Sequence, residues 1–179
     1  MQITLTQSGD YAVRAVIAIA RHGAGDGRLM KAREIARGMY IPVGYAAQLL
    51  ATLVRANLLS ATAGPSGGYE LAVPAEELTL LDVIRAIEGP LERERCVLRG
   101  GPCDWEAVCP LHSTWHDIES AVISRLRSTT FDQLGAMDAA IETGAAPIPQ
   151  DTHGRSVPRL GQRPGNQNSL DSDPGKGTP

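Results

Sequence analysis

Residues 32–73 decide the fold, and they read AREIARGMYIPVGYAAQLLATLVRANLLSATAGPSGGYELAV. The apolar spacing predicts a short helix over about 32–39 and, after a tight turn, a second helix that starts near Pro42. The runs 58–62 and 69–73 then flank AGPSGG, which has the composition of a hairpin turn. A helix-turn-helix followed directly by a hairpin predicts a winged helix, in a mainly α fold with a small β-hairpin wing.

Further helices are predicted on both sides of this unit. Apolar residues recur at helical spacing over 8–22, and again in LTLLDVIRAIEGP, where Gly89 and Pro90 end the helix. PLHSTWHDIESAVISRLRS predicts a long helix with Pro110 at its first position, and TFDQLGAMDAAIE closes the fold. Beyond Gly144 the chain is rich in proline and glycine and holds no aromatic residue, a composition that cannot bury enough apolar surface to fold. We therefore expect four parts: a winged helix-turn-helix domain over 1–90, a cysteine-rich loop over 91–109, a long helix with a closing helix over 110–144, and a disordered tail over 145–179.

Composition excludes several classes of protein. Apolar residues make up 42% of the 179 residues and charged residues 21%, as in ordinary globular proteins. The longest apolar stretch near the start, 15–20, is too short to span a bilayer, and the pattern of a secretion signal is absent. Three cysteines cannot all pair, which excludes a disulfide scaffold. We expect a cytoplasmic protein with no membrane partner and no small-molecule substrate.

The net charge of −3 is distributed unevenly along the chain. Residues 1–60 hold seven basic and three acidic side chains, a net +4, whereas 61–143 hold six basic and fourteen acidic ones, a net −8. A basic N-terminal third indicates a partner that carries phosphates, although a solvated surface would show the same charge. Double-stranded DNA fits this charge and the predicted helix-turn-helix.

The candidate DNA-binding residues lie on the two helices and the wing. Tyr45 and Gln48 are three residues apart and should share one face of the second helix; otherwise Tyr45 packs on the core and Gln48 is merely solvated. A glycine-rich hairpin tip suits a wing that approaches phosphates closely. The full candidate set is Lys31, Arg33, Arg37, Gly44, Tyr45, Gln48, Arg55, Ser66 and Gly67.

All three cysteines fall close to a histidine in CVLRGGPCDWEAVCPLH, with the spacing C-x6-C-x5-C-x2-H. Inert core thiols are usually scattered, so this cluster indicates a metal site. With Pro110 as the first helical residue, Cys109 would be the N-cap, where the helix dipole favours the thiolate, and His112 would lie one turn into the helix. The candidate ligands Cys96, Cys103, Cys109 and His112 suit an iron–sulfur cluster or a structural zinc, and the spacing alone does not choose between them.

Four segments together resemble one family of bacterial regulators. They are GDYAVRA at 9–15, GPSGGYELA at 64–72, LTLLDVIRAIEG at 78–89 and CPLHSTW at 109–115. Over about residues 1–140 the chain resembles the Rrf-two family of winged-helix transcriptional regulators. The resemblance implies a homodimeric transcription factor whose long helix pairs with its mate, and a cluster held in the cysteine loop.

The resemblance implies two patterns of cluster ligation. In the IscR-like branch, three cysteines and a histidine bind a [2Fe–2S] cluster, and Cys96, Cys103, Cys109 and His112 match that pattern, which we favour. In the NsrR-like branch, an aspartate near the N-terminus of one subunit completes a [4Fe–4S] site with three cysteines of the other, and Asp10 matches that position. Asp10 also suits the first turn of a helix, where the dipole stabilises an acid without any metal.

We therefore expect a dimeric DNA-binding repressor, not an enzyme, that senses iron–sulfur status, redox state or nitric oxide through a bound iron–sulfur cluster. The sequence holds no glycine-rich phosphate loop and no serine or cysteine triad. Two alternatives remain open. One is a regulator of the same fold with a structural zinc or no metal, and the other is a thiol redox protein that oxidises its cysteines directly.

Overall fold

The computed structural model describes residues 5–23, 29–91 and 109–147. Within these ranges the chain forms six helices and one antiparallel hairpin, which confirms the predicted mainly α winged-helix fold. The elements are α1 (Gln7–Gly23), α2 (Ala32–Gly38), α3 (Val43–Arg55), β1 (Leu59–Thr62), β2 (Gly68–Leu71), α4 (Leu80–Glu88), α5 (His112–Ser128) and α6 (Phe131–Glu142). None of these helices is long and apolar enough to cross a membrane.

Two predicted segments lie largely outside the described residues. Only the two ends of the expected cysteine-rich loop, Leu91 and Cys109, are described. The expected tail is described only over 145–147, where the Ala146 N–H donates to the Ala140 carbonyl at 3.0 Å and so closes the end of α6. The predicted disorder of the tail therefore stays a prediction.

The core is assembled around α1, whose side chains are buried from Tyr11 to Ala20 except at two half-buried positions. Val16 of α1, Ile35 of α2 and Leu53 of α3 have no exposed surface. Because apolar residues recur every three to four positions, each of these helices presents one continuous apolar face to the others. The α2–α3 pair thus packs on α1 as a helix-turn-helix.

The wing is a two-stranded hairpin whose register pairs Leu59 with Leu71 and Thr62 with Gly68. It begins and ends within two residues of the predicted runs. Tyr69 exchanges two backbone hydrogen bonds with Met30, at 2.8 and 3.0 Å, so the wing is also tied to the segment that leads into α2. The wing and the helix-turn-helix therefore form one continuous unit.

The helix α4 follows the sequence prediction closely. Thr79 caps it, because the Thr79 Oγ1 accepts from the Asp82 N–H at 3.3 Å while Asp82 Oδ2 accepts from the Thr79 N–H at 3.0 Å. Gly89 ends it with φ 82°, a conformation that favours glycine.

The start of the long helix corrects a prediction. α5 begins at His112 with Leu111 as its N-cap, so Pro110 is not its first residue and Cys109 is not its N-cap. The His112 N–H donates to the Cys109 carbonyl at 3.2 Å, and the first bond of helical spacing runs from the Trp115 N–H to the Leu111 carbonyl at 2.9 Å. A tight turn around Pro110 thus precedes the helix, and His112 is its first residue rather than one turn inside it.

A partly buried ion pair ties α1 to the last helix. The Arg21 Nη1 lies 2.5 Å from Asp138 Oδ2, and its Nη2 donates to Glu142. The Asp138 side chain is 9% exposed, whereas that of Glu142 is 62% exposed. Partial burial of the Arg21 guanidinium opposes its charge, but hydrogen bonds to Glu142 and Asp138 outweigh this and raise the pKa of Arg21. Arg21 therefore stays charged, and the pair holds α6 on α1.

We expect Arg21→Met to lower the free energy of unfolding by about 2 kcal/mol, because it leaves the Asp138 carboxylate buried without its cation. Glu142→Gln should cost no more than about 0.5 kcal/mol, since that side chain is solvated. Urea denaturation of each variant measures both effects. The double variant Arg21→Met/Asp138→Leu should recover most of the loss. Equal losses of unfolding free energy in Arg21→Met and Glu142→Gln would contradict the greater importance of the buried Asp138 carboxylate.

Candidate DNA-binding surface and metal site

The helix α3 has one buried and one exposed face. Leu49, Leu50 and Leu53 point into the core, while Gly44 and Gln48 are exposed at the start of the helix. The N-terminal residues of a recognition helix are those that contact base edges in the major groove. Both predicted residues are therefore on a surface that DNA can reach.

Tyr45 does not lie in the same environment as Gln48. Its ring packs edge-to-face against the Tyr11 ring, with the centroids 5.7 Å apart at an angle of 73°. Its hydroxyl lies 2.5 Å from the Ser8 Oγ. Tyr45 thus anchors α3 to the start of α1, as in the alternative in which it packs on the core. A contact of Tyr45 with DNA stays a prediction.

Three basic side chains lie on α2 or at its N-cap. Lys31, Arg33 and Arg37 are all exposed, and none of them forms an ion pair with a carboxylate of the described residues. The Arg55 Nη2 donates to the Thr52 Oγ1 at 2.8 Å, which holds the guanidinium along the end of α3. These side chains supply positive charge on the exposed side of α2 and α3, where phosphates would contact them.

The two residues predicted at the wing tip differ in their exposure to solvent. Ser66 is exposed, whereas Gly67 is buried and donates its N–H to the Gly64 carbonyl at 3.0 Å. A Cβ on Gly67 would lie 2.0 Å from the Thr62 carbonyl oxygen. The hairpin itself therefore requires glycine at 67, independently of any approach to phosphates.

Sequence reasoning missed two residues of this region. Tyr40, in the turn between α2 and α3, is 54% exposed and has φ 54°. The carboxylate of Glu88, at the end of α4, accepts from the Thr6 N–H at 2.8 Å and the Thr6 Oγ1 at 3.0 Å, so that it holds the start of α1. Neither feature has a local sequence signal. The exposure and left-handed φ of Tyr40 depend on the backbone conformation of the turn, and the Glu88–Thr6 hydrogen bonds join residues far apart in the chain.

Two of the four predicted metal ligands are within the described residues. Cys109 and His112 are half-buried and lie in one turn, joined by the backbone hydrogen bond that precedes α5. Cys96 and Cys103 lie outside the described residues. A thiol and an imidazole in the same turn fit the donor chemistry of an iron–sulfur cluster or a zinc ion.

Asp10, the alternative ligand, is occupied by another partner. Its carboxylate receives two hydrogen bonds from the Arg14 guanidinium, at 2.6 and 2.9 Å, and its side chain is 42% exposed. The Arg14 guanidinium also lies 5.8 Å from the centre of the Tyr11 ring. An i,i+4 pair in the first turn of a helix accounts for Asp10 without a metal.

The apolar face of the long helix α5 is partly exposed and partly half-buried. Within the described residues, no residue of α5 is fully buried, and Ile118 is 40% exposed. The N-cap residue Leu111 is 47% exposed. The face comprises Leu111, Trp115, Ile118, Val122, Ile123 and Leu126. We call it the α5 seam.

A helix-turn-helix with an outward-facing second helix, flanking cations and a wing defines a winged-helix transcriptional regulator. A family model described as Rrf2, iron-dependent transcriptional regulator, matches residues 5–136. The chain belongs to the Rrf2 family, the family that its four sequence segments resemble. Membership of a family of transcriptional regulators implies DNA binding.

Individual relatives agree with this assignment. The transcriptional regulator IscR of Photobacterium profundum is 32% identical over 130 residues, which cover 73% of this chain and 74% of that protein. The structure of CymR, the global cysteine regulator of B. subtilis, matches with a TM-score of 0.65 and 26% identity, covering 76% of this chain and 98% of that one. The structure of T. potens IscR matches with a TM-score of 0.60 and 25% identity, covering 82% and 94%. The names are those of regulators, which confirms the expectation that this chain is not an enzyme.

Proposed function

We propose that this protein is a homodimeric repressor whose affinity for a DNA operator depends on an iron–sulfur cluster. The observation that supports DNA binding is the exposed start of α3. Gly44 and Gln48 face outward there, beside the exposed cations of α2. Gly44 leaves room for close approach, and the amide of Gln48 can read a base edge. Such a protein acts where the operator lies, in the cytoplasm.

The cluster part of the proposal is supported by the placement of Cys109 and His112 in one turn. We assign the ligands as Cys96, Cys103, Cys109 and His112, with [2Fe–2S] favoured over [4Fe–4S]. A bound cluster would supply a centre that reacts with oxidants and nitric oxide. The family's description as iron-dependent supports the choice of iron over zinc.

Two states with different DNA affinity would make the protein a sensor. A ligand shifts an equilibrium only by its difference in affinity for the two states, so the cluster must favour one arrangement of the DNA-binding domains. The Glu88–Thr6 hydrogen bonds join the end of α4, just before the cysteine-rich loop, to the start of α1. The Ser8–Tyr45 contact then joins the start of α1 to α3. These contacts form one connection between the end of α4, just before the loop, and the recognition helix, and α4 also packs directly on α3.

The test combines two measurements on full-length protein purified without oxygen. Visible absorption, with iron and sulfide counted per chain, reports the cluster, and selection from a randomised duplex library reports DNA binding. We expect a coloured protein that enriches one sequence, with different affinity after the cluster is removed. A colourless zinc protein that enriches DNA would favour the structural-zinc alternative. Peroxide turnover without DNA affinity would favour the thiol redox protein.

Lys31→Ala and Arg37→Ala should weaken binding to all duplexes alike, because phosphate contacts carry no sequence information. Each substitution should reduce the slope of log affinity against log salt by about 1, as expected for one lost phosphate contact. Fluorescence anisotropy at several salt concentrations measures both quantities. Arg127→Ala, an exposed cation on α5, is the control and should change neither. An unchanged affinity in both variants would move the binding surface elsewhere.

Gln48→Ala should instead alter the preference at particular base pairs. A bidentate amide contact discriminates between bases by about 1–3 kcal/mol, so the enriched sequence should lose information at one position in each half-site. Library selection with wild type and variant measures this change. A uniform loss over all sequences would assign Gln48 to the phosphate backbone.

A further inference from the structure

The turn between α2 and α3 holds a tyrosine where the backbone favours glycine. The Ile41 N–H donates to the Ala36 carbonyl at 2.8 Å and the Tyr40 N–H to the Arg37 carbonyl at 3.4 Å. This is the hydrogen-bond pattern of a Schellman motif, in which the residue after the C-cap takes a left-handed conformation. Tyr40 has φ 54° there. A bulky side chain is disfavoured at such a φ, because its Cβ crowds the following carbonyl oxygen.

The end of α3 provides a comparison within the same chain. The Leu58 N–H donates to the Leu53 carbonyl and the Asn57 N–H to the Val54 carbonyl, both at 3.0 Å. Asn57 has φ 57° in the corresponding position. Asparagine is the residue other than glycine that tolerates this conformation best. The two helix ends are alike in their hydrogen bonds, and only the first carries an unfavourable residue.

Packing does not explain why Tyr40 stands at this position. Its side chain is 54% exposed, whereas its neighbours Met39 and Ile41 are 5% and 4% exposed. Within the described ranges its hydroxyl takes part in no hydrogen bond. The two buried neighbours hold the turn in place, so the phenol is presented outward from a rigid support. The helix end needs the left-handed conformation but not a tyrosine, and an unfavourable residue that packing does not explain is a reason to look for a function.

The position of Tyr40 points to DNA. It lies three residues before the first residue of α3, in the turn between the exposed Arg37 and the exposed Gly44. Tyrosine hydroxyls are among the groups that donate to phosphate oxygens beside a recognition helix. We propose that the Tyr40 hydroxyl donates a hydrogen bond to a DNA phosphate and so sets how α3 enters the groove. This inference rests on the proposed DNA-binding function.

The test compares three variants of the full-length protein. The probe is a labelled mixed-sequence duplex of about 30 base pairs, long enough for two half-sites. Tyr40→Phe removes only the hydroxyl and should weaken binding about threefold to tenfold at an unchanged thermal midpoint. Tyr40→Gly should weaken binding at least as much while the midpoint rises by about 2–4 °C, because the backbone conformation is then unstrained. In both variants the salt slope should equal that of the wild type, since a neutral donor releases no counterion.

Asn57→Gly is the matched control, because it makes the same backbone change at the end of α3. It should leave affinity unchanged and should not lower the midpoint. Wild-type affinity in Tyr40→Phe, or a lower midpoint in Tyr40→Gly, would overturn the inference and leave the proposed function standing. A wild-type protein that binds neither this duplex nor any selected sequence would overturn both.

Discussion

Ile118→Glu is expected to convert the proposed homodimer into monomers and to weaken DNA binding at least about 100-fold. Leu111, Trp115, Ile118 and Val122 follow one another at spacings of four, three and four residues, the pattern of a seam between paired helices. Ile118 lies in the middle of the α5 seam and is 40% exposed in a single chain. A carboxylate there would have to be buried against the partner without a cation, which opposes association strongly.

The loss of DNA affinity follows from the loss of the second binding domain. Two linked domains bind two half-sites with an effective concentration that raises affinity by about 10²–10⁴ over one domain alone. Sedimentation analysis should give the mass of one chain, 19.0 kDa, for Ile118→Glu and twice that mass for the wild type. Far-ultraviolet circular dichroism should remain unchanged, since Ile118 is not part of the buried core.

Ser120→Glu is the matched control for this experiment. Ser120 is exposed and lies two residues from Ile118, which places it on the opposite side of α5. The same charge on that side should leave the dimer and its DNA affinity intact. A dimer that survives Ile118→Glu would place the interface between subunits elsewhere.

His112→Ala is expected to bleach the visible absorption of the anaerobic protein or to make it labile, whereas Asp10→Ala should leave it unchanged. His112 lies in the same turn as Cys109, so both can reach one metal centre within one subunit. Asp10 is held by two hydrogen bonds from Arg14, and ligation by Asp10 would first have to break them. Cys109→Ala should abolish cluster retention in either pattern.

His116→Ala is the control for His112→Ala. His116 is exposed and lies one turn further along α5, so its loss should leave the iron and sulfide content unchanged. Iron and sulfide per chain, with absorption followed over hours without oxygen, measure retention in all four variants. A His112→Ala protein that keeps a full and stable cluster would contradict the assignment. Cluster loss in Asp10→Ala, with a shift towards monomer, would favour ligation across the dimer.

The helices and the hairpin were predictable because their signals are local. Apolar spacing places α3 within one residue of its predicted start, and Gly89 marks the end of α4. Turn-forming residues between two short apolar runs locate the wing. Each signal depends on residues a few positions apart, whose backbone preferences and side-chain faces are set before any tertiary contact forms.

The start of α5 shows where local rules fail. A proline at the first position of a helix is favourable, but Pro110 is equally compatible with the turn that the chain forms between Cys109 and His112. Both conformations satisfy the proline, so its presence does not distinguish them. The two candidate ligands in this turn nevertheless remain close together, because only two residues separate them in the chain.

The amino-acid order alone was enough to establish the winged helix, the family resemblance and the set of candidate ligands, because periodicity and motif spacing are properties of neighbours in the chain. Only the folded chain decided which candidates face outward and which are already engaged. Tyr45 lies against Tyr11 and Ser8, Asp10 is paired with Arg14, and Gly67 is needed by its own hairpin. Likewise, the strained Tyr40 became apparent only from its φ angle and its exposure. Packing between distant segments and the backbone angles that it imposes are tertiary properties, and spacing in the sequence does not encode them residue by residue.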